Sequence, residues 1–188
     1  MKKQLIGLAL VLSSTLWAGD FEDGMAAYEQ QNYELAFTKL KLSAEQGNAI
    51  AQGVLGFMYH EGKGVIRNDA EAVKWYKLAA DQGDAEAQYN LGVMYAEGKG
   101  VIKNDAEAVR WFKKSADQGL AQAKINLGAM YYKGQGVTQN DAVAVQWLKK
   151  AADQGNADAQ VRLGAMYAEG KGVIKNDAEA VRWYELAA

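Results

Sequence analysis

Few residues in this chain are equipped for chemistry. After residue 18 the hydroxyl nucleophiles are Thr38, Ser43, Ser115 and Thr138, and His60 is the single histidine. A hydroxyl attacks only with a base in hydrogen-bond reach, and no Ser-x-x-Lys spacing is present. Ser43 and Ser115 fall at a small core-type position near the end of a predicted helix, so burial accounts for them. His60, following Tyr59, reads as a surface or groove residue, because a zinc site needs several protein ligands. The Gly-Lys-Gly stretches at Gly62, Gly98 and Gly170 resemble anion loops but lack Gly-Lys-Ser/Thr and a preceding strand, so they read as turns. The Asn-Asp pairs with Glu61, Glu97 or Glu169 nearby do not have calcium-loop spacing, and helix capping explains them. No catalytic residue, metal ligand or cofactor is therefore assigned.

What must position these residues is a repeat. Met94–Trp111, MYAEGKGVIKNDAEAVRW, returns letter for letter at Met166–Trp183, seventy-two residues on, and looser copies lie midway and one step before. The copies open on Gly47, Gly83, Gly119 and Gly155, a constant step of thirty-six. Such a period marks stacked supersecondary units that bury their apolar faces on their neighbours. The expectation is an all-α fold, an α-α superhelix (solenoid) of antiparallel helix pairs. Its parts are a signal peptide at 1–18, an N-terminal capping helix pair at 20–46, and repeats at 47–82, 83–118, 119–154 and 155–188, the last two residues short.

The second copy shows why each unit is a helix pair. Asp84 can cap helix A, whose Ala87, Leu91, Val93 or Met94, and Tyr95 follow helical spacing; Gly98 and Gly100 stop and turn it. Asn104 with Glu107 has the pattern of a capping box, repeated as Asn68 with Glu71 and Asn176 with Glu179, while Asn140 stands with Val143. Helix B then runs through Ala108, Trp111, Phe112 and Ala116. Gly56, Gly92, Gly128 and Gly164 sit in mid-helix at a cost of about 1 kcal/mol against alanine. Close approach to Ala72, Ala108, Ala144 and Ala180 on helix B is expected to offset it. Trp75, Trp111, Trp147 and Trp183 are expected to fill the seam with the next repeat.

Charge and composition narrow the work. The net charge of −2 becomes −4 without Lys2 and Lys3, and the basic residues are scattered, which argues against nucleic acid as partner. With no cysteine, disulfides and acyl anchors drop out. Lys2 and Lys3, the apolar run Leu5 to Leu12 and small Ala18 read as an export signal cut near Ala18, too short to span a bilayer. A periplasmic or secreted bacterial protein is expected, with no stable membrane insertion after cleavage.

With L-G-x-M-Y, G-x-G-V, N-D-A-x-A-V-x-W and A-A-D-Q-G returning at that step, the chain resembles the Sel1-like repeat family, cousins of the tetratricopeptide repeats. The resemblance covers Gly47 to Ala188 and, more weakly, the first unit. It implies a right-handed α-solenoid serving as an adaptor in signalling, envelope or host-contact pathways. Many members carry proline or a polar residue after the loop valine, whereas this chain has Ile66, Ile102, Thr138 and Ile174, a departure expected to loosen the loop. A cysteine-rich branch linked to penicillin binding staples its helix pairs with disulfides, and this chain lies outside it.

Aligning Leu91-Gly92 with the tetratricopeptide Leu-Gly implies which helix-A positions line a groove. The candidate partner-binding residues are Phe21, Met25, Tyr28, Val54, Phe57, His60, Tyr89, Asn90, Asn126, Tyr132 and Arg162. These positions vary while the packing residues hardly do, the pattern of a recognition scaffold, although drift would produce variation too. The groove is expected to be apolar toward the N-terminus, where Val54 and Phe57 would equally serve to pack the cap on the first repeat. The expected function is a non-catalytic scaffold binding a protein or peptide in the cell envelope; the alternative is a weak hydrolase or penicillin-interacting protein. Val181, Trp183, Tyr184 and Leu186, with no further helix behind them, are expected to leave an apolar C-terminal face capable of weak self-association.

Overall fold

The computed structural model describes residues 19–188, and among them every regular element is helical. The signal-peptide reading lies outside the described residues. In chain order the helices are α1 over 19–29, α2 Tyr33–Glu45, α3 Ala49–Glu61, α4 Asp69–Asp81, α5 Ala85–Glu97, α6 Asp105–Asp117, α7 Ala121–Lys133, α8 Asp141–Ala152, α9 Ala157–Glu169 and α10 Asp177–Ala187. Two compact units result: one runs from the first described residue to Ala87 and includes Lys99–Val101, the other takes Gln88–Gly98 and Ile102–Ala188.

Asparagines start most of these helices. The Asn68 side-chain oxygen accepts from the Ala70 and Glu71 amides at 3.1 Å, and Asn104, Asn140 and Asn176 each accept from the amide three residues on. The second half of the expected capping box is replaced by another bond. The backbone N–H of Asn68, Asn104, Asn140 and Asn176 donates to the carbonyl of Tyr59, Tyr95, Tyr131 and Tyr167 on helix A, at 2.9–3.0 Å. Glu71, Glu107 and Glu179 pair instead with Lys74, Arg110 and Arg182. Val143 can therefore stand in the third repeat without orphaning an amide. The isoleucines between these fixed points project outward, Ile66 at 89 % and Ile174 at 91 % exposed.

In the first unit α2 packs on α3 and α3 on α4, around Ala36, Leu40, Ala51, Leu55 and Met58. Gly24 of α1 allows the approach of Leu40, which a Cβ would meet at 2.8 Å. The second unit holds two such cores. One gathers Ala108, Phe112, Ala123 and Leu127; the other gathers Val145, Leu148, Leu163 and Met166.

Two packing expectations need correction. The mid-helix glycines face chiefly the residue after each tryptophan: a Cβ at Gly56 would come within 2.8 Å of Tyr76, at Gly128 within 2.9 Å of Leu148 and at Gly164 within 2.8 Å of Tyr184. The helix-B alanines contribute their carbonyl edge, Ala180 at 3.1 Å from that same position on Gly164. The tryptophans also point the other way from the expected seam. Trp75 packs on the core of the capping pair, Trp147 on that of Phe112 and Leu127, and Trp183 is 5 % exposed among Ile125, Val145 and Leu148. Tryptophan and its successor lie about 100° apart on a helix, so one faces the preceding repeat and the other its own helix A. Of the four residues expected to form the apolar C-terminal face, Val181, Tyr184 and Leu186 are exposed and Trp183 is buried.

The second glycine of each loop fixes neighbouring repeats through main chain. Gly136 and Gly172 have φ of 69° and 68°, and a Cβ on either would lie 2.3 Å from the carbonyl oxygen of Asp105 or Asp141, the first residue of the preceding helix B. Only glycine combines that left-handed backbone with such an approach.

Candidate functional site

Helix A of each repeat keeps its glycine and leucine inward and turns its remaining face outward. In the second unit that face carries two hollows. The larger, about 230 Å³, is built from Ala129, Tyr132 and Lys133 of α7 and Arg162, Ala165 and Glu169 of α9. Gly128, Leu148 and Met166 line it as well, and Lys171 reaches it from the following loop. The smaller, about 190 Å³, takes Val93, Ala96 and Glu97 of α5 and Asn126 and Ala129 of α7. Ala129 borders both.

Charge is unevenly committed around the larger hollow. Lys171 pairs with Glu169 at 2.7 Å and donates to the Tyr132 hydroxyl, and these bonds, Glu169 first, raise its pKa. Its Nζ lies 5.1 Å from the centre of the Tyr132 ring. Arg162 spends Nε on both oxygens of Asp158, at 2.9 and 3.0 Å. Lys133 is exposed and makes no hydrogen bond or ion pair among the described residues.

In the first unit the equivalent loop lysine closes over the rings. Lys63 Nζ lies 5.0 Å from the centre of Phe57 and 5.2 Å from those of Tyr28 and Tyr33, and donates to the Tyr28 hydroxyl at 3.0 Å. The Tyr28 bond is the main cause of its raised pKa. His60 Nδ1 is 2.6 Å from Asp69, whose other oxygen accepts from Arg67 at 2.9 Å. Arg67 first, then His60, holds the Asp69 carboxyl below its ordinary range.

The sequence-derived candidates divide accordingly. Phe21, Met25, Tyr28 and Val54 pack against the first core, Phe57 lies beside Lys63, and His60 is engaged by Asp69. Tyr89 belongs to the second unit, its ring 5.7 Å from Phe112; Asn90 is half-buried on the same helix. Asn126 lines the smaller hollow, and Tyr132 and Arg162 line the larger. Sequence reasoning missed Lys63 and Lys171 because it assigned their loops to turn-making alone. It also missed Lys124, buried where other repeats carry Gln52, Gln88 and Gln160. Burial, then Lys150, lowers the Lys124 pKa, and its amine donates to Gly119 and Gln154 at 3.0 and 2.8 Å.

Ser43 and Ser115 are buried. Among the described residues no cluster of three His, Cys, Asp or Glu side chains is placed to hold a metal, and no helix is long and apolar enough to cross a membrane.

The sequence profile of the Sel1 repeat matches residues 49–84, 85–120, 121–156 and 157–188. A protective antigen of uropathogenic Escherichia coli with an SLR fold is 35% identical over 93% of this chain, with a TM-score of 0.90. This chain spans 38% of that structure's length. A Sel1 repeat protein from Oxalobacter formigenes is 38% identical over 89% of this chain and 69% of its own, with a TM-score of 0.84. Cysteine rich protein B of Helicobacter pylori, 22% identical over 67% of this chain and 93% of its own at a TM-score of 0.56, shares the fold. No curated protein matches the sequence. With four matched repeats and helix pairs shared with solved Sel1 proteins, the chain belongs to the Sel1 repeat family, an all-α solenoid family of interaction scaffolds.

Proposed function

We propose that this chain is a non-catalytic scaffold that binds a protein or peptide along its helix-A face. The observation that carries the reading is that both hollows of the second unit take most of their lining from helix-A positions, on α5, α7 and α9, and meet at Ala129. An extended segment crossing α7 would lie against both. A photo-crosslinking residue at Ala129 should capture the partner from cell-envelope extract, while one at Gln146, exposed on α8, should not. Equal capture at both positions would defeat the assignment.

The work is placed in the bacterial envelope, periplasmic or secreted, after residues 1–18 are removed near Ala18. Lys2, Lys3 and the apolar run behind them support this, and the likeness to a protective antigen accords with it. N-terminal sequencing of the exported protein should begin near Gly19; protein starting at Met1 in the membrane fraction would overturn it.

A further inference from the structure

The larger hollow of the second unit is apolar inside and cationic at its mouth. Ala129, Leu148, Ala165 and Met166 supply the lining, and about 230 Å³ falls below the roughly 300–1,000 Å³ of pockets that enclose whole small molecules. A single large side chain fits that space better. Around it the one lining carboxylate, Glu169, is already spent on Lys171. Lys133 is free, and the terminal nitrogens of Arg162 have no protein partner among the described residues, since Asp158 takes only Nε. A basic segment would find no open carboxylate here, and a neutral one would leave Lys133 and the terminal nitrogens of Arg162 without an acceptor.

We propose that this hollow seats one large apolar side chain from an acidic peptide segment, whose flanking carboxylates meet Lys133 and the free end of Arg162. The proposal rests on the helix-A reading above and adds the chemistry of the partner. The apolar side chain supplies most of the buried area. The carboxylates act as charge-assisted acceptors, Arg162 offering a pair of donors and Lys133 a mobile one. Binding should therefore weaken with added salt.

The probe is the fluorescein-labelled peptide Glu-Glu-Asp-Leu-Asp-Glu-Glu, titrated with purified protein and followed by anisotropy. Two companions replace its leucine by alanine or all its acids by lysine. The leucine acidic peptide should bind. It should weaken by about tenfold or more in the alanine companion, and likewise in Ala165→Trp, which fills the hollow, and in Lys133→Glu or Arg162→Glu, both at exposed positions. Circular dichroism melting verifies each variant, and the two charge reversals serve if Ala165→Trp does not fold. If the lysine peptide binds as tightly and is still lost in Ala165→Trp, the acidic assignment is overturned while helix-A binding stands. Acidic-peptide binding indifferent to all three substitutions, or no binding by any peptide, overturns the proposal; the crosslink at Ala129 then judges the helix-A reading separately.

Discussion

The two units use the same loop lysine to opposite ends. In the first, Lys63 is surrounded by Tyr28, Tyr33 and Phe57 and occupies the space those rings enclose. In the second, Lys171 meets one ring, Tyr132, and a glutamate, and a hollow remains beside it. The difference lies in the surrounding residues, Tyr28 and Phe57 on first helices of their pairs and Tyr33 at the start of α2, which decide whether the lysine fills a site or borders one. The aromatic richness that makes the N-terminal positions attractive as a groove is what recruits their own lysine to cover them.

The largest effects that would sharpen this comparison are expected at Gly64 and Gly172. An added Cβ would fall 2.1 Å from the Tyr33 carbonyl oxygen at Gly64 and 2.3 Å from that of Asp141 at Gly172. Each Gly→Ala should cost about 3 kcal/mol or more, read from the urea midpoint. Gly64→Ala should also reduce the near-ultraviolet dichroism of three rings where Gly172→Ala disturbs one; matching spectral losses would erase the distinction.

A smaller contrast separates the rings. Phe57→Ala is expected to cost about 2 kcal/mol, since it opens a half-buried cluster. Tyr132→Ala should cost under about 1 kcal/mol, because one side of its ring already faces a hollow. Equal costs in chemical denaturation would mean the two sites are closed to the same degree.

The buried helix-A amide position gives a third contrast, Gln52 in the first unit against Lys124 in the second. Lys124→Gln should stabilise by about 1 kcal/mol at neutral pH by removing a buried charge. Because the folded-state pKa of Lys124 is lowered from 10.5, the unfolded chain binds more protons between the lowered value and 10.5. Wild-type stability contributed by this group therefore rises with pH through that window, and the advantage of Lys124→Gln shrinks there. An advantage that stays constant to pH 11 would show that packing, not charge, is responsible.

The smallest expected effect distinguishes the two loop lysines directly. Lys63→Met should lower the melting temperature slightly, and Lys171→Met less, since an exposed ion pair contributes little. The reverse order would mean that Glu169 matters more than the three rings.

The array was legible because its signals are local. Asparagine caps and glycine stops each act within a few residues, and their return every thirty-six residues locates the helices of every repeat. Direction across the seam was not legible. Spacing puts Trp183 on a face with Ala180, but a periodic sequence offers each face two identical neighbours, and only packing chooses the preceding one. The capping box failed for a related reason: the Asn104 amide finds the Tyr95 carbonyl, nine residues back, before any glutamate can reach it. Of the candidate site, Asn126, Tyr132 and Arg162 line hollows because their helix-A register is local. Phe57 and Tyr28 meet Lys63 through contacts across loops that no spacing rule anticipates.

The contact between a loop glycine and the main chain of the preceding helix also bears on how such a chain can grow. Gly136 rests on Asp105 and Gly172 on Asp141 through backbone atoms, so the joint reads no side chain beyond the glycine itself. A unit duplicated by unequal recombination would meet the same joint wherever it landed. Met94–Trp111 and Met166–Trp183, identical in every residue, occupy two such positions while the helix between them carries different outward residues. Lineages of this protein can therefore gain or lose whole repeats in single genetic steps, without first re-evolving the main-chain joint between them.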